Sequence, residues 1–515
     1  MKKLMTLIFA LFLTAGIAFG QNSNDAHIDQ VDQDNTAEIT QSGDDNVASI
    51  GQGLHDNDTE GIDLGGSSVN AEDNDATIEQ DGDDNVAYIT QGAGETGSGS
   101  ASGGDSDDSE TTIEQDGDDN FAATGQGTFG GESDDDESSV EQDGDDNVAN
   151  IAQGFGDNGS SEDNTADITQ DGDDNEARID QGRNGSAEDN DADITQDGGG
   201  NDADIEQGNF GGTAEDNTAT ITQDGNDNDA DIDQGDDDAN SSAEDNTADI
   251  TQDGDGNDAD IDQGDNDAVA EDNTATLSQN GDDNKARINQ GTFVGTAEDN
   301  TADITQDGNG NDALILQGAE SGGPAEDNAA TTEQDGDDNV ARTDQGTFGG
   351  SAEDNEASAE QVGDGNNAAL QQGTFGGGSA EGNTAAIEQN GDDNEAITFQ
   401  GAGGTAEDNA ATIEQVGDGN DATIQQGTLG GGAAEDNTAV IEQNGDDNEA
   451  RIDQGRNGSA EDNLAEILQD GDDNLGTVFQ LGDDNVALID QNGDDDTSSI
   501  NQDGQDNDAH ITQNN

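Results

Sequence analysis

Carboxylates and amides are the side chains whose number and spacing in this chain could do chemistry. Asp and Glu total 127 against nine Lys and Arg, giving a net charge of −118 over 515 residues. Paired aspartates recur directly after a glycine, as at Asp173-Asp174, Asp282-Asp283, Asp337-Asp338 and Asp446-Asp447. If the segments that carry them stack at about 4.8 Å, the pairs form two columns in which neighbouring charges repel by roughly 0.9 kcal/mol before salt screening. Protons or cations must condense on such columns, and divalent ions do so most effectively. They are therefore candidate sites for Ca2+ or other counter-cations held diffusely, with no dedicated cofactor.

The amides follow a stricter rule. The unit Asn-x-Ala-x-Ile-x-Gln appears as Asn164-Thr165-Ala166-Asp167-Ile168-Thr169-Gln170, and again at Asn175-Glu176-Ala177-Arg178-Ile179-Asp180-Gln181. It occurs 36 times between Asn24 and Gln513; its last position is always Gln, its first is Asn in 33, its third Ala in 32 and its fifth Ile, Leu or Val in 31. Amides held in phase with the apolar residues have one chemistry open to them, hydrogen bonding to their own copies above and below. Asn164, Gln170, Asn175, Gln181, Gln196, Gln207, Gln223 and Gln234 are the expected ladder, with Ile168 and Ile179 in the apolar columns beside them.

The elements that position these residues follow from the period. Asn, Ala, Ile and Gln share one parity and Thr, Asp, Glu or Arg the other, which is a strand with one buried face and no helical period. Successive units start 11, 15, 11 and 16 residues apart from Asn164 through Asn175, Asn190 and Asn201 to Asn217. Two units thus form one repeat of solenoid length. The short link Asp171-Gly172-Asp173-Asp174 suits a tight turn in which Gly accepts a positive φ. The longer link, residues 346–354, predicts a looser arc with no strand of its own. The expected fold is all-β: a two-stranded β-solenoid, a cross-β stack of about 17 strand-turn-strand repeats spanning residues 21–515, with no helix after a signal peptide.

Composition argues the other way. Hydrophobic content of 27%, 3% aromatics and 75 Gly favour an acidic disordered polymer. Disorder has no use for a fixed phase, however, so the ordered stack is the functional state. Each repeat finds its partners only in its neighbours, so folding nucleates with difficulty and then propagates.

These residues carry a resemblance. Asn164-x5-Gln170-x-Gly172-x-x-Asn175-x-Ala177-x3-Gln181 resembles the curlin repeat, Ser-x5-Gln-x-Gly-x-x-Asn-x-Ala-x3-Gln, of the subunits of bacterial curli fibres, and Ser109 to Gln126 keeps even the Ser. The resemblance covers nearly all of residues 21–515. It implies a secreted functional amyloid of the biofilm matrix, exported unfolded through an outer-membrane curli-type channel, started by a minor nucleator subunit and assembled by templating. Two departures stand out: curlins have a handful of repeats, and their surfaces are far less acidic.

Residues 1–20 read as a signal peptide, with Lys2 and Lys3, an apolar stretch from Leu4 to Ala18, and cleavage expected after Gly20. No other segment could insert in a membrane. There is no Cys, so stacking must hold the exported chain. Pro324 falls in a loose link, where it is expected to remove no ladder bond.

Other chemistry fails on inspection. Asp253 to Asn257 starts like an EF-hand loop, but Asp258 stands where Gly is needed. Gly198 to Asp202 misses the calcium nonapeptide, because Asn201 replaces a Gly. His27, His55 and His510 are scattered and read as solvated side chains, and Phe129, Phe210, Phe293, Phe348 and Phe375 as local packing in the loose links. The glycosylation pattern at Asn57-Asp58-Thr59 is chance in so Asn-rich a chain. Nothing marks a catalytic cleft, so no enzyme is expected, and nine basic residues exclude a phosphate-backbone partner. The expected function is structural, a secreted self-assembling fibre subunit at the bacterial cell surface that acts in adhesion and aggregation. The alternative is a non-polymerising, Ca2+-binding acidic matrix solenoid. An ice-binding face would want regular short hydroxyls, and the outward positions are acidic.

Overall fold

The computed structural model describes residues 24–30, 35–54, 70–93, 105–128, 131–156, 159–235, 241–264, 268–292, 295–319, 324–374, 378–427, 433–455 and 458–514. The segment read as a signal peptide, with His55, Asn57, Phe129, Phe293 and Phe375, lies outside these. The chain divides into two compact units, Met1–Gly211 and Gly212–Asn515. Among the described residues there are strands and no helix.

One coil of the first unit contains the plan. Thr165–Asp173 runs into a tight turn, Glu176–Gln181 returns, and Ser186–Glu188 closes the loose side. Each strand pairs in parallel with its copy one coil on, in exact phase: Ile168 with Ile194 and Gln170 with Gln196 in one sheet, Ile151 with Ile179 and Gln153 with Gln181 in the other. The second unit repeats this with Thr301–Asp307, Asp312–Gln317 and Pro324–Glu326. The fold is a parallel β-solenoid. Its repeat count differs slightly from the spacing estimate: among the described residues, six strands equivalent to Thr165–Asp173 lie in the first unit and twelve in the second.

The core lies between the two sheets. Ala166, Ile168, Ala177 and Ile179 are at most 1% exposed, and Asp167, Thr169 and Asp171 at the alternate positions of the first strand face solvent. A one-residue slip would turn every one of these outward, so the register is strongly specified. The tight turn is fixed by its glycine: at Gly172 φ is +121°, and a Cβ there would lie 1.9 Å from the Gly198 carbonyl oxygen of the next coil. No other residue allows coils to approach at that point.

The loose side is more ordered than the sequence reading. Ala187, with Ala214, Ala243, Ala270, Ala297 and Ala325 in the second unit, sits buried in a three-residue strand that forms a short ladder of its own. The overlooked signal is the recurrent Ala-Glu-Asp-Asn, whose Ala stands three residues before the unit's Asn. Pro324 also departs from expectation. It opens one of these short strands, at a position whose N–H elsewhere donates to the next coil, as Ser351 does to Gly378 at 3.0 Å, so one ladder bond is missing there.

Candidate functional site

The structure stacks the amides into two kinds of ladder that run in opposite senses. Gln170 Nε2 donates to Gln196 Oε1 at 2.8 Å and Gln181 Nε2 to Gln207 Oε1 at 2.9 Å, each toward the following coil. In the second unit Gln223 donates to Gln252 and Gln234 to Gln263, both at 2.9 Å. The asparagines point back: Asn190 donates its backbone N–H and its Nδ2 to Asn164 Oδ1, both at 2.9 Å, and the N–H of Asn175 reaches Asn147 Oδ1 at 3.0 Å. All these side chains are buried. Buried amides with donors and acceptors used are stabilising, whereas the same groups unpaired would be costly.

The glutamines also cross the core. Gln170 reaches the Val148 carbonyl at 3.1 Å and Gln181 the Thr165 carbonyl at 3.0 Å, each on the facing sheet. Parallel ladders hold coil to coil, and these bonds hold sheet to sheet.

The paired aspartates occupy the turn rim and are exposed. The first of each pair is part of a ladder: Oδ1 of Asp173, Asp282, Asp337 and Asp446 accepts the backbone N–H of the residue one coil earlier, at 3.0, 3.1, 2.9 and 3.1 Å. The second, Asp174, Asp283, Asp338 or Asp447, has φ of 55–60° and donates its N–H to the previous coil, as Asp174 does to the Asp145 carbonyl at 3.0 Å. The positive φ explains why Gly256, Gly310, Gly365 and Gly419 stand at this place in other coils. Among the described residues, no three His, Cys, Asp or Glu side chains converge to hold a metal ion.

A further carboxylate column lies along the short strands of the loose side. Glu215, Glu244, Glu271, Glu298, Glu326 and Glu353 pair in register along the short strands. Their mutual repulsion raises the carboxyls of Glu244, through Glu215 and Glu271, and of Glu353, through Glu381 and Glu326, above the ordinary range. On the turn rim the Asp146 carboxyl is also raised, by desolvation first and then by Asp119 and Asp174.

Asp180 corrects the expected faces. Its alternation with Ile179 and Gln181 reads as outward, yet it is only 3% exposed, because Arg178 and Arg183 both pair with it. Arg183 in turn lies 5.6 Å from the ring centres of Phe155 and Phe210, a local cation–π contact. Asp344 and Asp453 hold the same position beneath Arg342 and Arg451. His27 and His510 are exposed.

Stacked, in-phase Asn and Gln columns joined by glycine turns are a family-level signature, and the comparison of the chain with family models agrees. The curlin associated repeat matches residues 71–102, 161–187, 187–235, 297–323, 460–491 and 482–514. The chain belongs to the curlin-repeat family. Among the curated proteins none matches it. As a curlin-repeat protein it is a structural, curli-like chain, and the matched segments 161–187 and 187–235 carry Gln and Asn rungs of the ladders described above.

Proposed function

We propose that this curlin-repeat protein is a secreted, self-assembling fibre subunit of the bacterial cell surface or biofilm matrix, where it serves adhesion and aggregation. In this reading residues 1–20 direct export and are removed, the chain leaves through a curli-type outer-membrane channel, and a minor nucleator subunit starts growth.

The observation that carries this reading is the open end of the stack. Thr36–Ser42 pairs with Asp75–Asp81 and Asp508–Asn514 with Val486–Asn492, and among the described residues neither has a partner on its other side. Both keep Ala, Ile and Gln in the inward phase. Ala37, Ile39, Ala509 and Ile511 are nevertheless only half-buried, while Ala76 and Ile78 are at most 1% exposed. Among the described residues no polar cap covers either strand, and an open edge is a template.

A second copy fits that template. Its Asp25–Gln30 belongs to the same sheet type as Thr497–Asp503, and its Thr36–Ser42 to that of Asp508–Asn514. Head-to-tail addition therefore continues both sheets and their Gln columns in phase. The test is fibre diffraction with thioflavin fluorescence on residues 21–515. A meridional reflection near about 4.7–4.8 Å is expected. A chain that stays monomeric through weeks of seeding at high concentration and moderate salt overturns the proposal.

A further inference from the structure

One of the two Asn columns of the first unit is interrupted on two neighbouring rungs. It runs through Asn35, Asn74, Ser109, Asp136, Asn164 and Asn190. An Asn rung both accepts and donates: Asn164 takes two N–H groups from Asn190 on its Oδ1 and gives its Nδ2 to the Ala187 carbonyl at 3.0 Å. An ionised Asp can do only the first of these.

Asp136 is nonetheless fully buried, at 0% exposure. Four donors converge on its carboxylate: the Ser133 hydroxyl, the Ser161 hydroxyl at 2.9 Å, and the backbone N–H and Nδ2 of Asn164 at 2.9 and 3.2 Å. None carries a positive charge. The ionisable groups on the strands packed around it, Asp107, Glu110, Asp134, Glu137, Glu162 and Asp167, are all acidic and sit at outward positions. A buried carboxylate with hydrogen bonds but no counter-charge is costly when ionised.

The same rungs have given up apolar burial in the other core columns. Ser106, Ser133 and Ser161 stand where Ala71 and Ala187 do, Thr111 and Ser138 where Ala76 and Ala166 do, and Thr124 where Ile89 and Ile151 do. A polar network replaces the lost packing, with Thr111 and Ser138 hydroxyls 2.9 Å apart and Ser109 and Ser133 hydroxyls 3.3 Å apart. These coils rely on hydrogen bonds at positions where neighbouring coils bury Ala.

We propose that Asp136 is a protonation-gated rung: with its carboxyl neutral the coils across residues 105–188 lock together, and with it ionised they open more readily than the rest of the first unit. Burial pushes this carboxyl up to about 6 from 3.8, against the hydrogen bonds from Ser133, Asn164 and Ser161 that lower it. The folded rung therefore holds a proton that the opened chain releases. Stability from this source is complete below pH 3.8 and is lost as pH rises through about 6.

The test is amide hydrogen exchange by mass spectrometry on the full chain, at constant ionic strength and corrected for the intrinsic rate. Between pH 7 and pH 5, protection across residues 105–188 should rise by about tenfold. D136N restores the residue that the column uses elsewhere, so it folds, and it should flatten this dependence. D145N removes the same charge from an exposed turn position and should leave the dependence intact. An unchanged slope in D136N, or equal flattening in D145N, overturns the proposal. The readout is local opening of the folded chain, so it is independent of whether the protein forms fibres.

Discussion

Gln181 donates its Nε2 to the Thr165 carbonyl across the core at 3.0 Å, joining two strands 16 residues apart in the same coil. Gln234 does the same to Thr218 at 3.2 Å and Gln317 to Thr301 at 3.1 Å. This second task explains why Gln is the residue that the repeat never replaces. Asn bonds its own column and the short strand beside it, Ala and the aliphatic position pack along one column, and a neighbour can compensate for a change. Gln holds a column and a facing backbone carbonyl at once, and no other side chain of that length offers both a donor and an acceptor.

Replacing Gln181 by Ala should accordingly be expensive. It removes the bonds to Thr165 and Gln207 and takes from the Gln153 amide the side-chain acceptor that joins it to the next coil. A loss of about 1–3 kcal/mol is expected for buried groups left unpaired. Urea denaturation of the variant against Thr169→Ala, an exposed position on the facing strand, measures it, and equal midpoints would contradict the ladder.

Asp180 makes a sharper case, because simple alternation treats it as solvated. Asp180→Ala strips Arg178 and Arg183 of a buried partner. The expected cost is about 1 kcal/mol, reduced by the solvent that reaches both guanidinium groups. The same melts decide it: a variant indistinguishable from wild type would place Asp180 in solvent after all.

The turn offers a contrast within three residues. Gly172→Ala puts a Cβ against the Gly198 carbonyl oxygen and a side chain at φ +121°, which should destabilise by at least ~1–3 kcal/mol. Asp174→Gly, two residues on, relieves a φ of 60° and should cost less than about 1 kcal/mol. Thermal melts of the two single variants test the ranking.

The fold was legible because its signal has period two and repeats many times, so the parity of Ile168 and Gln170 assigns the inward face without tertiary information. What escaped was short or conditional. The strand Ser186–Glu188 has one buried residue, too few to show a period. Asp180 is buried by Arg178 and Arg183, side chains that only the coil geometry brings over it. Spacing alone makes the turn aspartates a bare charge column. Their first members also accept backbone N–H groups from the previous coil, a role that requires coordinates to see.

The Glu column predicts a pH dependence of the second unit. Repulsion from Glu215 and Glu271 on Glu244, and from Glu407 and Glu461 on Glu435, raises these carboxyls above 4.5 when the coils are stacked. The stacked chain then binds protons that the unfolded chain has released. Stability from this column is therefore complete below pH 4.5 and is lost as pH rises through the raised values. Changing Glu326, Glu353 and Glu381 to Gln together should raise the melting temperature at pH 7, leave it nearly unchanged at pH 4, and weaken the response to added salt. A variant destabilised at pH 7 would mean that cations already neutralise the column.

The exposed end strand allows growth to be blocked without touching the fold. In the parallel ladder Val486 donates its N–H forward to the Asn507 carbonyl at 2.8 Å, and by the same alternation the N–H groups of Asp508, His510 and Thr512 point away from the stack. His510 carries its side chain in solvent. His510→Pro thus removes a hydrogen-bond donor that no described strand uses and that an incoming copy would. If fibres grow by head-to-tail addition, the variant should melt within about 0.5 kcal/mol of wild type yet extend from that end roughly five- to tenfold more slowly, the value of one lost ladder bond. Seeded growth followed by single-fibre imaging reads both ends separately. Unimpaired extension at both ends would show that copies join elsewhere.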